Sequence, residues 1–191
     1  MYDGKIGLYL IEQIEQSREC ITDENFDLAI SYLQKGLESI KGLEVTYSEE
    51  MVKIYKLLGL CYRKKNMPME GLQILKKAEL LCRKMYFRDK NVYWRRELAV
   101  CYMNEAIIYD SQEETENAIN LYKNAIYVFK EIEDSESCVK AMVSLGLAYG
   151  KVDNIEAFTA LCRDAIDIID GNFTLECYRK IFCDMQEEIL K

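Results

Sequence analysis

The chain has 191 residues, half of them apolar and 30% charged, with a formal net charge of −8 and no histidine. That balance gives a sizeable core on a well-solvated surface and argues against a disordered chain. The missing histidine removes the commonest general base and transition-metal ligand. No apolar run approaches the roughly 20 residues needed to cross a bilayer, and the start "MYDGKIGLYLIEQ" lacks a basic region followed by a cleavage site, so a cytoplasmic protein is expected.

Helical periodicity recurs along the chain and predicts an all-α fold of nine helices, at about 3–20, 23–41, 49–64, 67–85, 90–109, 112–133, 136–150, 154–170 and 173–190. Thr22, Ser48, Asp89, Ser135 and Asn172 are placed to cap helix N-termini, and Ser111 with Glu114 reads as a capping box. Pro68 suits a first helical turn. Gly42 and Gly171 read as the left-handed residues that end helices.

The odd-numbered helices share one phrase: "LLGLCYRKK" (57–65), "ELAVCYMNE" (97–105) and "SLGLAYGKV" (144–152). The even-numbered ones share another, beginning at Ala29, Gly71, Ala118 and Phe158, at spacings of 42, 47 and 40 residues. Small residues at fixed offsets let helix backbones approach while larger ones fill the space between. The unit is therefore a helical hairpin repeated four times, over about 3–41, 49–85, 90–133 and 136–170, with a helix at about 173–190 covering the last face. Gly59, Ala99 and Gly146 are expected against Gly71, Ala118 and the Phe158 region, and the whole of 1–191 is expected to form one domain.

No G-x-x-x-x-G-K-[ST], G-x-G-x-x-G or G-x-S-x-G motif is present. The eight cysteines include no C-x-x-C pair and mostly sit in apolar helical patterns, so they read as reduced core thiols. Paired acids such as Glu49/Glu50, Glu113/Glu114 and Glu187/Glu188 fall near helix starts or on exposed faces, where they suit the helix dipole or solvent. No enzyme, metal or cofactor is expected.

Leu58-Gly59-Leu60-Cys61-Tyr62, with Gly71 twelve residues after Gly59, resembles the tetratricopeptide repeat. The resemblance runs along nearly the whole chain and implies a right-handed superhelix of about four hairpins whose first helices form the inner surface. The hairpins exceed the usual 34 residues and are similar to the peptide-sensing domains of Gram-positive quorum-sensing regulators, although no helix-turn-helix segment is recognisable here. Carried onto this sequence, the inner positions are Lys53, Lys56, Leu60, Arg63 and Lys64; Tyr93, Arg96, Val100, Met103 and Asn104; and Lys140, Val143, Leu147, Gly150 and Lys151. Seven of the fifteen are basic and none is acidic.

Such a surface suits an extended peptide or protein segment with acidic side chains or a free C-terminal carboxylate. Leu60, Val100, Met103 and Leu147 would supply apolar contacts, Tyr93 a stacking surface, and Asn104 a donor and acceptor for peptide backbone. Lysine and arginine stems that merely cover apolar helix would look similar. A net charge of −8 and a pI near 4.8 make direct nucleic-acid binding unfavourable, and no membrane partner is expected. The ligand-sensing part of a bacterial regulator and a stand-alone adaptor or chaperone both fit. The corresponding positions of the first hairpin, Ile11, Ile14, Arg18, Ile21 and Thr22, suggest an apolar face that meets a second subunit or another domain, or packs within the chain.

Overall fold

The computed structural model describes residues 2–43 and 45–189, the side chains of 2–4 excepted. Among the described residues it is helical without strands: α1 (Tyr2–Thr22), α2 (Phe26–Ser39), α3 (Ser48–Lys64), α4 (Pro68–Asp89), α5 (Val92–Ser111), α6 (Thr115–Glu131), α7 (Ser135–Lys151), α8 (Ile155–Asp170), a 3₁₀ turn (Phe173–Leu175) and α9 (Cys177–Ile189). Two compact units divide the chain, Met1–Asn104 and Glu105–Lys191.

In the first unit α1 packs on α2, α2 on α3 and α3 on α4. Its core joins Leu10, Ile14, Leu33, Ile40, Ile54 and Leu58. Ala29, Leu33 and Gly36 are the buried face of α2, as the shared second-helix phrase requires. Gly59 and Gly71 are both buried in the packed α3–α4 pair, and a Cβ on Gly59 would lie 2.8 Å from Leu75 Cγ. The leucine side chain fills the place that a larger residue at 59 would need.

In the second unit α7 packs against α6, α8 and α9. Phe129, Phe158 and Phe182 are fully buried there, with Met142. Gly146 faces Phe158 as expected and also meets α9, since a Cβ on it would lie 2.7 Å from Met185 Cε.

One turn geometry recurs five times. Glu24, Asn66, Glu113, Glu133 and Asp153 all have positive φ, between 51° and 63°. In each case the residue that follows donates its N–H back to the carbonyl five positions earlier: Asn25 to Cys20, Met67 to Tyr62, Glu114 to Tyr109, Asp134 to Phe129 and Asn154 to Tyr149. The left-handed residue donates three positions back, which completes a Schellman motif. The tyrosine of the first-helix phrase thus marks the carbonyl that closes the turn in "CYRKK" and "AYGKV".

These turns correct several boundaries. Because each consumes the residues just past a helix, the next cap lies further on than the hydroxyl residues suggested. Asn25, Asp134 and Asn154 accept from the N–H three residues ahead. Thr22 instead ends α1 and bonds back to the Arg18 carbonyl, and Ser111 ends α5 bonded to that of Ile108. The capping box does not form: α6 starts at Thr115, and Glu114 accepts from the Asn117 side chain. Ser48 and Ser135 are the first residues inside their helices. Asp89 closes α4 and accepts from the Asn91 N–H and the Trp94 indole. Asn172 does cap the 3₁₀ turn, and Pro68 does open α4. Gly42 is left-handed at φ +85°, whereas Gly171 stays in the right-handed region at φ −75°.

Candidate functional site

In the first unit the expected positions fall on α3 and α5. Amphipathic spacing turns Leu58, Gly59 and Cys61 into the core, so Lys53, Lys56, Leu60 and Arg63 remain half-buried on the side and Lys64 exposed. On α5 the same logic leaves Tyr93, Val100, Met103 and Asn104 half-buried and Arg96 exposed, around buried Trp94, Leu98, Ala99, Cys101 and Tyr102.

An acid missed by the positional count lies among them. Glu97 is only 7% exposed and accepts from Lys56 Nζ, tying α3 to α5. Tyr93 sits in the same neighbourhood: burial first, then the charges of Glu97, Glu49 and Glu50, push its hydroxyl far above the usual tyrosine range. It stays protonated and can donate a hydrogen bond. The face is consequently divided, with carboxylates around Tyr93 and Lys56 and cations toward the C-terminal end of α3. Among the described residues no carboxylate lies within ion-pair distance of Lys53, Arg63 or Lys64.

The second unit contributes α7. Lys140 and Lys151 are exposed and pair with Glu136 and Asp110, while Leu147 is also exposed and Val143 half-buried. Lys140 is held above the usual lysine range by its bond to Glu136 and by Tyr178 of α9. Gly150 is not open: a Cβ on it would lie 2.8 Å from Ile189 Cδ1, so α9 covers this part of the α7 face. The sequence carried one signal for the missed acids. Lys56 and Glu97, and likewise Asp110 and Lys151, are 41 residues apart, close to the repeat spacing.

Of the first-hairpin isoleucines, Ile14 is core at 7% exposure, Ile21 is half-buried and Ile11 is 48% exposed beside exposed Leu8. The continuous apolar face expected there is reduced to its N-terminal part. Among the described residues no group of three or more Cys, Asp or Glu side chains could hold a metal ion. No helix of the described residues is long and apolar enough to cross a membrane.

Comparison with solved structures places this architecture. The chain superposes on the kinesin-light-chain-type, nearly identical TPR-like repeats of Podosopora anserina with a TM-score of 0.70 at 12% identity, covering 94% of this chain and 92% of that one. The fold is that of the tetratricopeptide-like repeats. BtubC (BKLC) from P. vanneervenii matches at a TM-score of 0.51 and 16% identity over 88% of this chain and 74% of that one. MamA protein matches at 0.50 and 20% over 89% and 97%. No family model matches the sequence. The Clustered mitochondria protein homolog of Candida albicans is 21% identical over 169 residues, which span 87% of this tetratricopeptide-like chain but 12% of that protein.

Proposed function

We propose that the chain is a non-catalytic scaffold that binds an extended peptide or protein segment along the exposed sides of its first-of-hairpin helices. The observation that carries this reading is the α3–α5 side. There Lys53, Arg63 and Lys64 have no carboxylate within ion-pair distance among the described residues, next to half-buried Leu60, Val100 and Met103. Cations held on rigid helices beside apolar stems suit a segment bearing acidic side chains or a terminal carboxylate. Asn104 adds a carboxamide that serves backbone in either direction. In the second unit Lys140, Leu147 and Lys151 of α7 form a candidate contact set of their own, with two of the three already engaged by Glu136 and Asp110. Lys56 and Tyr93, set beside Glu97, would orient the segment by offering charge of mixed sign.

Two uses fit this proposal: ligand sensing within a bacterial regulator, and an adaptor or chaperone that holds a larger partner. The first predicts a short free peptide as ligand and the second a folded or partly folded client. Calorimetric titration with acidic peptides recovered from extract is the test. Reversing Arg63 and Lys64 to glutamate should weaken binding more than tenfold, the loss of charge-assisted bonds worth about 1.5–3 kcal/mol each. Reversing Lys123 on α6 should leave it unchanged. Equal losses from both would defeat the assignment.

A further inference from the structure

A second feature lies on α4, away from the positions considered so far. Residues 76–90 carry six basic and two acidic side chains in a protein of net charge −8. The buried face of α4 is Gly71, Leu75, Ala78, Glu79, Cys82 and Met85. Its opposite side presents Leu80 at 66% and Phe87 at 80% exposure. These two are seven residues apart, hence within about 20° of one another around the helix. Lys76 and Arg83 flank this ridge on one side and Lys77, Lys84 and Arg88 on the other, all exposed.

The two flanks differ in what they do. Glu79 ties down Lys76 and Arg83, and Arg83 also donates to the Tyr102 hydroxyl. Burial opposes the Glu79 charge, but the hydrogen bonds from Lys76 and Arg83 outweigh it and hold the carboxyl below its usual range. Among the described residues Lys77 and Lys84 have no ion-pair partner. At the end of the ridge Lys90 lies over the Phe87 ring, 5.0 Å from its centre.

We propose that this side of α4 is a peripheral docking surface for the anionic face of a lipid bilayer. Leu80 and Phe87 protrude and are bordered by cations along both sides, which suits shallow insertion at an interface with the ammonium groups at headgroup level. Fluid headgroups move laterally and can meet each cation at whatever spacing the helix imposes. A rigid acidic partner would have to match that spacing. Binding of single-stranded nucleic acid by stacking uses successive exposed rings, and Phe87 is the one exposed aromatic among the described residues of α4. The absence of a membrane-spanning helix among the described residues bears on insertion across a bilayer and leaves surface association open to this face. Screening over about 8 Å at physiological ionic strength lets this local charge act despite the negative remainder of the chain.

Flotation of the full chain with phosphatidylcholine vesicles, with and without phosphatidylserine, tests the proposal. Binding is expected only to the serine-containing vesicles and should be lost in high salt. Lys77→Glu with Lys84→Glu should weaken it by at least about tenfold, since each cation near an anionic surface contributes about 1 kcal/mol. Phe87→Ala should weaken it too, with an unchanged thermal melt as the check on folding, whereas Arg63→Glu should not. Failure to float with either vesicle, equal flotation with both, or wild-type flotation of the double reversal would overturn the proposal. So would capture of single-stranded RNA or an acidic peptide by Lys77 and Lys84 without vesicle binding.

Discussion

Six of the eight cysteines sit where a thiolate would be poorly solvated or partly shielded, and two do not. Burial pushes Cys61, Cys138 and Cys162 up to about 11 from an ordinary value of 9.0. Cys177 and Cys183 of α9 are exposed. Alkylation of the native protein at neutral pH, read by mass spectrometry, should modify Cys177 and Cys183 first and leave Cys61, Cys138 and Cys162 untouched until unfolding. The sign of the pH effect follows. A thiol whose folded value is raised contributes full stability below 9.0, and that contribution is lost as pH rises toward 11. Denaturation midpoints should therefore fall across this alkaline window. The core role of these thiols was legible from their apolar settings. Glu97 was not, because it lies one position beside the helix face that the repeat phrase selects, and only its 41-residue distance from Lys56 pointed to it.

The two glycines of the helix phrase behave differently once their neighbours are known. A methyl group at Gly59 would strike Leu75 at the branching Cγ, which is fixed close to the α4 backbone, whereas at Gly146 the nearest atom is the terminal methyl of Met185. Gly59→Ala should cost about 1–3 kcal/mol, the usual range for overpacking, and Gly146→Ala clearly less because methionine re-packs readily. Urea unfolding of the two variants, with unchanged slope, checks the order. Helix number and approximate bounds were readable from periodicity, since every hairpin buries one apolar stripe. The turns were not readable, because the left-handed positions are held by Glu24, Glu113, Glu133 and Asp153 rather than by glycine.

Charge is unevenly divided along the whole molecule. Residues 53–96 hold thirteen basic and three acidic side chains, whereas 105–191 hold eight basic and eighteen acidic. The protein should bind an anion exchanger at pH 7, as its net charge requires, and should also be retained on a sulfonate resin at low ionic strength. Elution from the latter should come earlier for the Lys77→Glu, Lys84→Glu variant, and failure of the unmodified protein to bind would indicate that its cations are neutralised in place. A count along the chain already contained this polarity. The inner positions of the first helices do not show it, because most of the cations of residues 53–96 lie outside those positions.

The recurrent turn also governs which changes of length the chain tolerates. Five helix junctions close through the same pair of backbone bonds, so one added residue in any of them breaks both bonds and rotates the next helix by about 100° relative to its partner. The apolar stripe would then face water. The connection at 40–47 follows another rule: Gly42 has open space around the position of a Cβ, and the stretch is longer than the three-residue turns. Loop closure grows costly only slowly with length. Natural variation in chain length, epitope tags and reporter insertions should therefore accumulate between Lys41 and Val45, while the five short junctions keep a fixed residue count even where their amino acids change.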